Sequence, residues 1–197
     1  TIKDAETKMY ANKLKEGKEI RNKIINALLN KQDEWDHNIG NMIEQSVQLG
    51  KIYGLDTNKI NSLKSLIEIH DIGKVAISKD ILSKIKPLTN KEWEIIKKHS
   101  EIGYRIASTY PEYSNIAEDI LSHHERWDGN GYPRGLKGEE IPILARILAV
   151  VDAYDVIISG RPYKKALSKQ EALMEIKRNS STQFDPKLVE IFISMMV

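Results

Sequence analysis

The sequence predicts an all-α protein, and three observations support this prediction. Apolar residues recur at helical spacing through most of the 197 residues, and no stretch shows the alternation expected of a half-buried strand. Residues that start or end helices flank the periodic segments, for example Thr89 with Glu92 three positions later, and Gly54. The hydrophobic content of 41% is sufficient for a buried core and lies outside the range of disordered proteins.

The amino-terminal third is predicted to form three helices. Residues 3–32 are rich in Lys and Glu and place apolar residues at mostly helical spacing, which is typical of one long amphipathic helix. This helix can pack on the domain as a solvated helix or serve as a connector and dimerisation helix, and we favour the connector. A second helix is expected over 33–53, ending near Gly54, and a third over 58–70, before a turn at Gly73.

The rest of the chain is predicted to add one short helix and five longer ones. Segment 74–88 is expected to be a loop with a short helix, after which Thr89 and Glu92 form the capping-box pattern that opens the helix carrying His99. The remaining helices are expected at residues 111–124, 142–158, 168–179 and 186–196, the last with Asp185 as its cap and Pro186 in its first turn. The Gly-rich loop DGNGYPRGLKG, at 128–138, separates the first two of these.

Charge and cysteine content exclude several classes of function. The chain has 30 Lys and Arg against 28 Asp and Glu, a net charge of +2, so no partner DNA, RNA or anionic membrane is expected. It has no cysteine, which excludes disulfide frameworks, thiolate catalysis and Cys-ligated metals, and we expect a cytoplasmic location. Because the chain starts at Thr1 without an initiator Met, we also expect a fragment of a longer protein.

Two pairs of adjacent residues are candidate metal ligands. His70 and Asp71 end one predicted helix, and His123 and His124 end another, directly before the Gly-rich loop. Imidazole and carboxylate groups suit first-row metals, and a carboxylate can bridge two ions. Each pair alone is also compatible with an ordinary polar helix end, but two such pairs in one chain favour a metal site.

Single polar residues in two further segments are weaker candidates. Asp152 and Asp155 lie in an apolar run, where a carboxylate must face a cation, either a metal ion or a core arginine such as Arg146. Asp33 precedes His37 by four residues, one helical turn away on the same face, so the two can bind one ion. At this point a metal site and an ion pair with arginine both stay open for Asp152 and Asp155. For Asp33 and His37, a shared ion and a spacing that arises by chance both stay open.

Together these segments resemble the HD-GYP family of cyclic di-GMP phosphodiesterases. The motifs that carry the resemblance are HDIGK at 70–74, HHERWDGNGYP at 123–133, SGRPYKKA at 159–166 and QFDPKLVE at 183–190. The resemblance covers about residues 33–197 and implies an all-α HD-domain helical bundle there. Residues 1–32 would then precede the catalytic domain as the connector or dimerisation helix.

The resemblance also implies a centre of two or three divalent iron or manganese ions. The positions that match the family's metal ligands are Asp33, His37, His70, Asp71, His99, His123, His124 and Asp152. Asp33 stands where the family commonly has Glu, which leaves the number of ions open. Catalytic roles are expected for Asp71, as a bridging ligand, and for Lys74, as the contact to the scissile phosphate. Substrate contacts are expected from Lys74, Asp155, Arg161, Tyr163 and Lys164.

The function that the resemblance implies is hydrolysis of cyclic di-GMP to pGpG and, in a further step, to GMP. Two alternatives stay open: a cyclic di-GMP receptor without turnover, and an HD phosphohydrolase for another cyclic dinucleotide such as 3′,3′-cGAMP. The complete set of ligand positions favours an enzyme over a receptor. The other expected partners are a second copy, bound through the amino-terminal helix, and an upstream sensor domain.

Overall fold

The structure, a computed structural model, describes residues 38–160 and 165–196. Helices joined by loops and turns form this part of the chain. Eight α-helices occur in these ranges: α1 (Ile39–Tyr53), α2 (Thr57–Ile69), α3 (Lys79–Leu82), α4 (Asn90–Thr109), α5 (Ala117–Ser122), α6 (Ile143–Ser159), α7 (Lys169–Arg178) and α8 (Pro186–Met196). No strand occurs in the same ranges, where the backbone forms only two isolated β-bridges. The all-α prediction is confirmed, while the predicted helix over 3–32 lies outside the described residues.

Helix α6 forms the centre of the core because it is apolar on most sides. Its buried residues include Leu144, Ile147, Leu148 and Val151. A helix of this kind must be covered on several faces, and α6 packs against α1, α2, α5, α7 and α8. None of the helices in the described ranges, α6 included, is both long enough and apolar enough to cross a membrane. Since α6 also carries Asp152, packing of the core determines where that carboxylate lies.

Several helix ends lie where the sequence predicts them. Gly54 ends α1 with φ of 100°, in the left-handed region that a residue with a Cβ rarely adopts. Thr89 and Glu92 form both hydrogen bonds of the predicted capping box at the start of α4. The Asp185 carboxylate accepts a hydrogen bond from the backbone N–H of Lys187 at 2.9 Å, and so caps α8.

The predicted helix over 111–124 is wrong in its first half. Residues Ser114–Ile116 form a 3-10 turn, and α5 starts only at Ala117. Tyr110 has φ of −109° and ψ of 115°, an extended conformation, because the following Pro111 disfavours a helical residue before it. The chain therefore turns before α5 starts, and the helix that presents the two adjacent histidines is short.

A close approach of two backbones brings the end of α2 onto α4. After α2, residues Ile72–Ala76 form a 3-10 turn that packs on α4. A Cβ atom on Gly73 would lie 1.9 Å from the carbonyl oxygen of His99, and one on Gly103 would lie 2.9 Å from Cγ2 of Ile120 on α5. Only glycine permits these distances. The two glycines thus place the end of α2, the middle of α4 and the end of α5 at one junction.

Candidate metal centre

Four side chains that could hold a metal ion gather at this junction. One ligand atom from each of Asp71, His99, His123 and His124 lies within 4.8 Å of the others. Nε2 of His99 is 3.2 Å from Nε2 of His123, 3.1 Å from Nε2 of His124 and 3.4 Å from Oδ1 of Asp71. His124 is partly exposed, and the other three residues are buried. The structure therefore brings together four of the eight predicted metal ligands.

Backbone carbonyls orient three imidazoles of the described part of the chain. Nδ1 of His70, His99 and His123 lies 2.8, 2.6 and 2.5 Å, respectively, from the carbonyl oxygen three residues earlier in the sequence. A carbonyl oxygen only accepts hydrogen bonds, so Nδ1 of each ring carries the proton and donates it. Nε2 of each ring is then left with a lone pair, which is the form that binds a metal ion.

The contact between His99 and His123 suits a cation-binding site. Two Nε2 lone pairs that face each other at 3.2 Å repel unless a positive charge lies beside them. Burial lowers the pKa of His99, and burial together with the neighbouring imidazoles lowers the pKa of His123 well below 6.5. Burial does the same to the pKa of His124. The rings are therefore neutral near pH 7, and nitrogen and carboxylate donors without sulfur fit a divalent first-row metal ion.

His70 lies next to this group of four. Nε2 of His70 is 3.5 Å from Oδ2 of Asp71, whereas His99 contacts Oδ1 of the same carboxylate. Asp71 thus directs Oδ1 toward His99 and Oδ2 toward His70, an arrangement that suits a bridging carboxylate. Asp152 is on α6, and its charge, like that of Asp71, adds to the burial that raises the pKa of Tyr132.

Lys74 lies at the opening of the junction. It belongs to the 3-10 turn after α2, and its amine donates a hydrogen bond to Oδ2 of Asp71. The Lys74 side chain is 21% exposed, whereas the Asp71 side chain is 6% exposed. The ammonium group is therefore the part of this pair that a substrate from solvent meets.

The two carboxylates of α6 differ in burial, and Arg146, the partner considered for them, pairs with another residue. Asp155 is 2% exposed, and Asp152 is partly exposed. Arg146 forms its ion pair with Asp185, the cap of α8, at 2.7 Å. Asp155 is not among the four ligand residues that gather within the described ranges.

Five predicted site residues lie outside the described part of the chain. They are Asp33, His37, Arg161, Tyr163 and Lys164. Their roles as metal ligands or substrate contacts stay predictions.

The sequence analysis assigned no role to Glu125 or Asp119, which the structure places beside the junction. Glu125 is 3% exposed and accepts hydrogen bonds from the backbone N–H groups of Arg134 at 2.7 Å and Leu136 at 3.0 Å. Asp119 is 7% exposed, and burial raises its pKa to about 7. Acidic residues next to a histidine pair are a weak signal, because nothing in the sequence shows that they are buried.

Comparisons with known proteins agree with this geometry. The model of the HD domain family matches residues 7–188. A cyclic di-GMP phosphodiesterase of Thermotoga maritima is 42% identical over 152 residues, which are 76% of this chain and 41% of that protein. A 3′3′-cGAMP-specific phosphodiesterase 2 of Vibrio cholerae is 34% identical over 178 residues, which are 89% of this chain and 34% of that protein. The chain thus spans well under half the length of these relatives.

A solved structure shows the same fold. An HDG"Y"P protein from Bdellovibrio bacteriovorus superposes with a TM-score of 0.63 over 79% of this chain and 50% of that one. The two sequences are 18% identical in this comparison, so the likeness concerns the fold alone.

Proposed function

The chain belongs to the HD domain family, in the group that carries the HD-GYP motifs, and we propose that it is a metal-dependent phosphodiesterase that hydrolyses cyclic di-GMP to pGpG. One observation carries the proposal: neutral imidazoles of His99, His123 and His124 converge on one point beside the Asp71 carboxylate and the Lys74 amine. The similarity to the Thermotoga maritima cyclic di-GMP phosphodiesterase supports the choice of substrate.

The proposed centre contains two or three divalent iron or manganese ions. Asp71, His99, His123 and His124 would hold one ion, and His70 and Asp152 would contribute to a second on the other side of Asp71. Asp33 and His37 are the proposed ligands that decide between two ions and three. When bound, the ions would polarise the scissile phosphate and lower the pKa of the attacking water. Nitrogen and oxygen donors support iron or manganese, although zinc, nickel and copper also bind such sites.

Protein side chains supply the rest of the chemistry. Hydrolysis forms a bond between a water oxygen and phosphorus and breaks the bond from phosphorus to the 3′ oxygen. Lys74, which is partly exposed at the opening, can neutralise charge on the phosphoryl oxygens and donate a proton to the leaving 3′ oxygen. The carbonyl contacts of His70, His99 and His123 keep their rings in place, so no reorganisation is needed as charge develops.

We also propose that residues at and after the end of α6 bind the remainder of the dinucleotide. Arg161, Tyr163 and Lys164 directly follow Gly160, which ends α6. An arginine can bind a phosphate through two parallel hydrogen bonds and can stack on a base. Asp155, buried in the last part of α6, completes this proposed ligand-binding set.

Product analysis tests the proposed function. Metal-free protein is loaded with Fe(II) under anaerobic conditions, or with Mn(II), and incubated with cyclic di-GMP. Chromatography should show pGpG first and GMP later, and the chelator-treated protein should show neither. Absence of turnover with both metals would contradict the proposal, and tight binding without hydrolysis would favour a receptor.

The comparison with Vibrio cholerae favours one second candidate substrate. The chain is 34% identical to the 3′3′-cGAMP-specific phosphodiesterase 2 over 89% of its own length. The same assay should therefore also be carried out with 3′,3′-cGAMP as substrate. A larger kcat/KM for 3′,3′-cGAMP than for cyclic di-GMP would reverse the order of the two substrates.

We further propose a cytoplasmic location and attachment to other domains. The proposed substrate is a bacterial second messenger, and a chain without cysteine suits a reducing compartment. The relatives named above are considerably longer than their matched regions. In this proposal residues 3–32 connect the catalytic domain to a sensor domain and mediate dimerisation.

A further inference from the structure

His124 is held differently from the other three histidines of the described residues. His70, His99 and His123 each donate from Nδ1 to a backbone carbonyl, and His124 has no such bond within the described ranges. Its ring instead contacts two other rings: that of His123, with centroids 4.0 Å apart, and that of Tyr132 in the Gly-rich loop, with centroids 4.9 Å apart and planes at 31°. The His124 carbonyl also accepts a hydrogen bond from the Tyr132 N–H at 3.2 Å. The orientation of this imidazole therefore depends on the Gly-rich loop.

Glu125 holds that loop in place. Its Oε1 accepts from the N–H of Arg134 at 2.7 Å, and its Oε2 accepts from the N–H of Leu136 at 3.0 Å. The residue is 3% exposed, so water does not compete for these two hydrogen bonds. At Gly131 the loop passes so close that a Cβ atom there would lie 2.5 Å from Cα of Glu125. One buried carboxylate thus clamps the backbone on the carboxyl-terminal side of Tyr132.

We propose that Glu125 is a positioning residue for the metal centre, acting on His124 through the loop. Both oxygens of Glu125 fix residues 134–136, which keeps the Tyr132 ring against His124 and directs Nε2 of His124 to the point where His99 and His123 converge. The inference rests on the metal-binding part of the proposed function. It assigns to the loop a role in forming the metal site itself.

An exposed carboxylate on α5, which contacts Arg134 of the same loop, offers a matched control. The Arg134 guanidinium contacts Oε2 of Glu118 at 3.0 Å and donates to Oγ of Ser122 at 2.7 Å. The Glu118 side chain is 56% exposed, and exposed ion pairs contribute little to stability. Glu118→Gln therefore makes the same chemical change as Glu125→Gln, in contact with the same arginine, without touching the clamp.

Titration of metal-free protein with Co²⁺ tests the inference without any nucleotide. In Glu125→Gln the amide offers one oxygen acceptor and sets its NH₂ group against the second N–H. We expect Co²⁺ affinity to fall about 10- to 100-fold, the usual effect of changing an outer-shell partner. The visible spectrum of bound Co²⁺ should change as an imidazole is displaced, and the far-UV circular dichroism of the metal-free protein should match wild type. Glu118→Gln should leave both affinity and spectrum unchanged.

A second pair of variants keeps the inference testable if Glu125→Gln does not fold. Tyr132→Phe retains a ring over His124 and should bind Co²⁺ as wild type does, whereas Tyr132→Leu should show the weaker affinity and altered spectrum. Wild-type affinity and spectrum in Glu125→Gln or in Tyr132→Leu would overturn the positioning role. Wild-type protein that binds no Co²⁺ would overturn the proposed metal centre and this inference with it.

Discussion

Asp71 uses both of its carboxylate oxygens in the candidate centre. Its Oδ1 lies 3.4 Å from Nε2 of His99, and its Oδ2 lies 3.5 Å from Nε2 of His70 and accepts from Lys74. The carboxylate is 5% exposed. Lys74 neutralises part of the charge of this buried carboxylate, whereas imidazole nitrogens that carry lone pairs do not, so a divalent cation would stabilise the arrangement further. The single side chain therefore links both sides of the centre.

The first prediction concerns the charge of Asp71. Asp71→Asn keeps the size of the side chain but removes the charge, so bound metal and turnover of cyclic di-GMP should fall together, by about 100-fold or more. Elemental analysis and initial rates measure the two effects. Arg161→Ala is the contrasting variant, since it should raise KM at unchanged metal content. Full metal content and full rate in Asp71→Asn would contradict a bridging role.

At the scale of elements, the 3-10 turn and α4 form the contact that assembles the centre. The carbonyl oxygen of His99 would lie 1.9 Å from any Cβ at position 73, so the turn and α4 touch through their backbones. His99 thus contributes its side chain to the centre and its carbonyl group to this contact. A change at this contact should therefore move the His99 imidazole, a proposed metal ligand, as well as weaken packing.

The second prediction is that Gly73→Ala loses stability and metal affinity together. Because backbone rather than a flexible side chain blocks the new methyl group, we expect a loss of about 3 kcal/mol in the free energy of unfolding. Gly40→Ala is the control: the nearest atom to its Cβ would be 3.8 Å away, and alanine in α1 should add up to about 1 kcal/mol. Urea unfolding and Mn²⁺ titration measure both quantities. If the Gly73→Ala protein were as stable as its parent, the backbone contact with α4 would not be the reason that position 73 needs glycine.

Helices α5 and α6 meet at a buried carboxyl group. Asp119 is on α5, and burial raises its pKa to about 7, with a smaller opposing contribution from the backbone N–H of Ala145 on α6. The ordinary pKa is 3.8, so the folded protein holds this proton more tightly than the unfolded chain does. The stability that Asp119 contributes is therefore greatest below pH 4 and falls as the pH rises from about 4 to about 7.

The third prediction follows from the upward shift of the Asp119 pKa. Asp119→Asn keeps an oxygen acceptor but does not ionise, so its stability relative to the parent should increase between pH 5 and pH 8, by roughly 2 to 3 kcal/mol. Urea unfolding of both metal-free proteins at the two pH values gives the difference. The buried histidines titrate in both proteins, so their contribution cancels. A difference that is the same at both pH values would show that Asp119 does not titrate in this range.

At the scale of the whole molecule, contacts between distant segments hold the site together. The Gly-rich loop is bonded to the connection between α7 and α8, where the N–H of Asp128 donates to the carbonyl of Thr182 at 2.8 Å. The side chain of Arg146 on α6 pairs with Asp185 at the start of α8. The four gathered residues that could hold a metal ion come from α4 and from the ends of α2 and α5. Metal binding should therefore stabilise the entire fold and not only its site.

The fourth prediction is that removal of metal destabilises the whole domain. At a free metal concentration 100 times Kd, binding adds about 2.7 kcal/mol to the free energy of unfolding. Treatment with a chelator should lower the melting temperature in a single transition, and addition of Mn²⁺ should restore it. Asp71→Asn should show a much smaller response to the chelator. Equal melting temperatures with and without Mn²⁺ would argue against metal binding at this junction.

The sequence by itself determined the helical class, several helix ends and the candidate ligands. Gly54, Thr89 and Asp185 act through bonds to residues within four positions, so their effect is a local property that a sequence pattern reveals. Similarly, the donor chemistry of a histidine or an aspartate does not depend on the fold. The predicted pairs at 70–71 and 123–124 therefore include three of the four gathered ligand residues, and His99 is the fourth.

Only the tertiary structure decided which side chains are buried and what they face. The start of α5 after the Pro111 turn and the burial of Asp119 and Glu125 were not predicted. The burial of these two carboxylates depends on groups far from them in the chain, such as Ala145 beside Asp119 and Arg134 and Leu136 beside Glu125. Periodicity and spacing describe neighbours along the chain, whereas burial and electrostatic environment arise from how the helices cross.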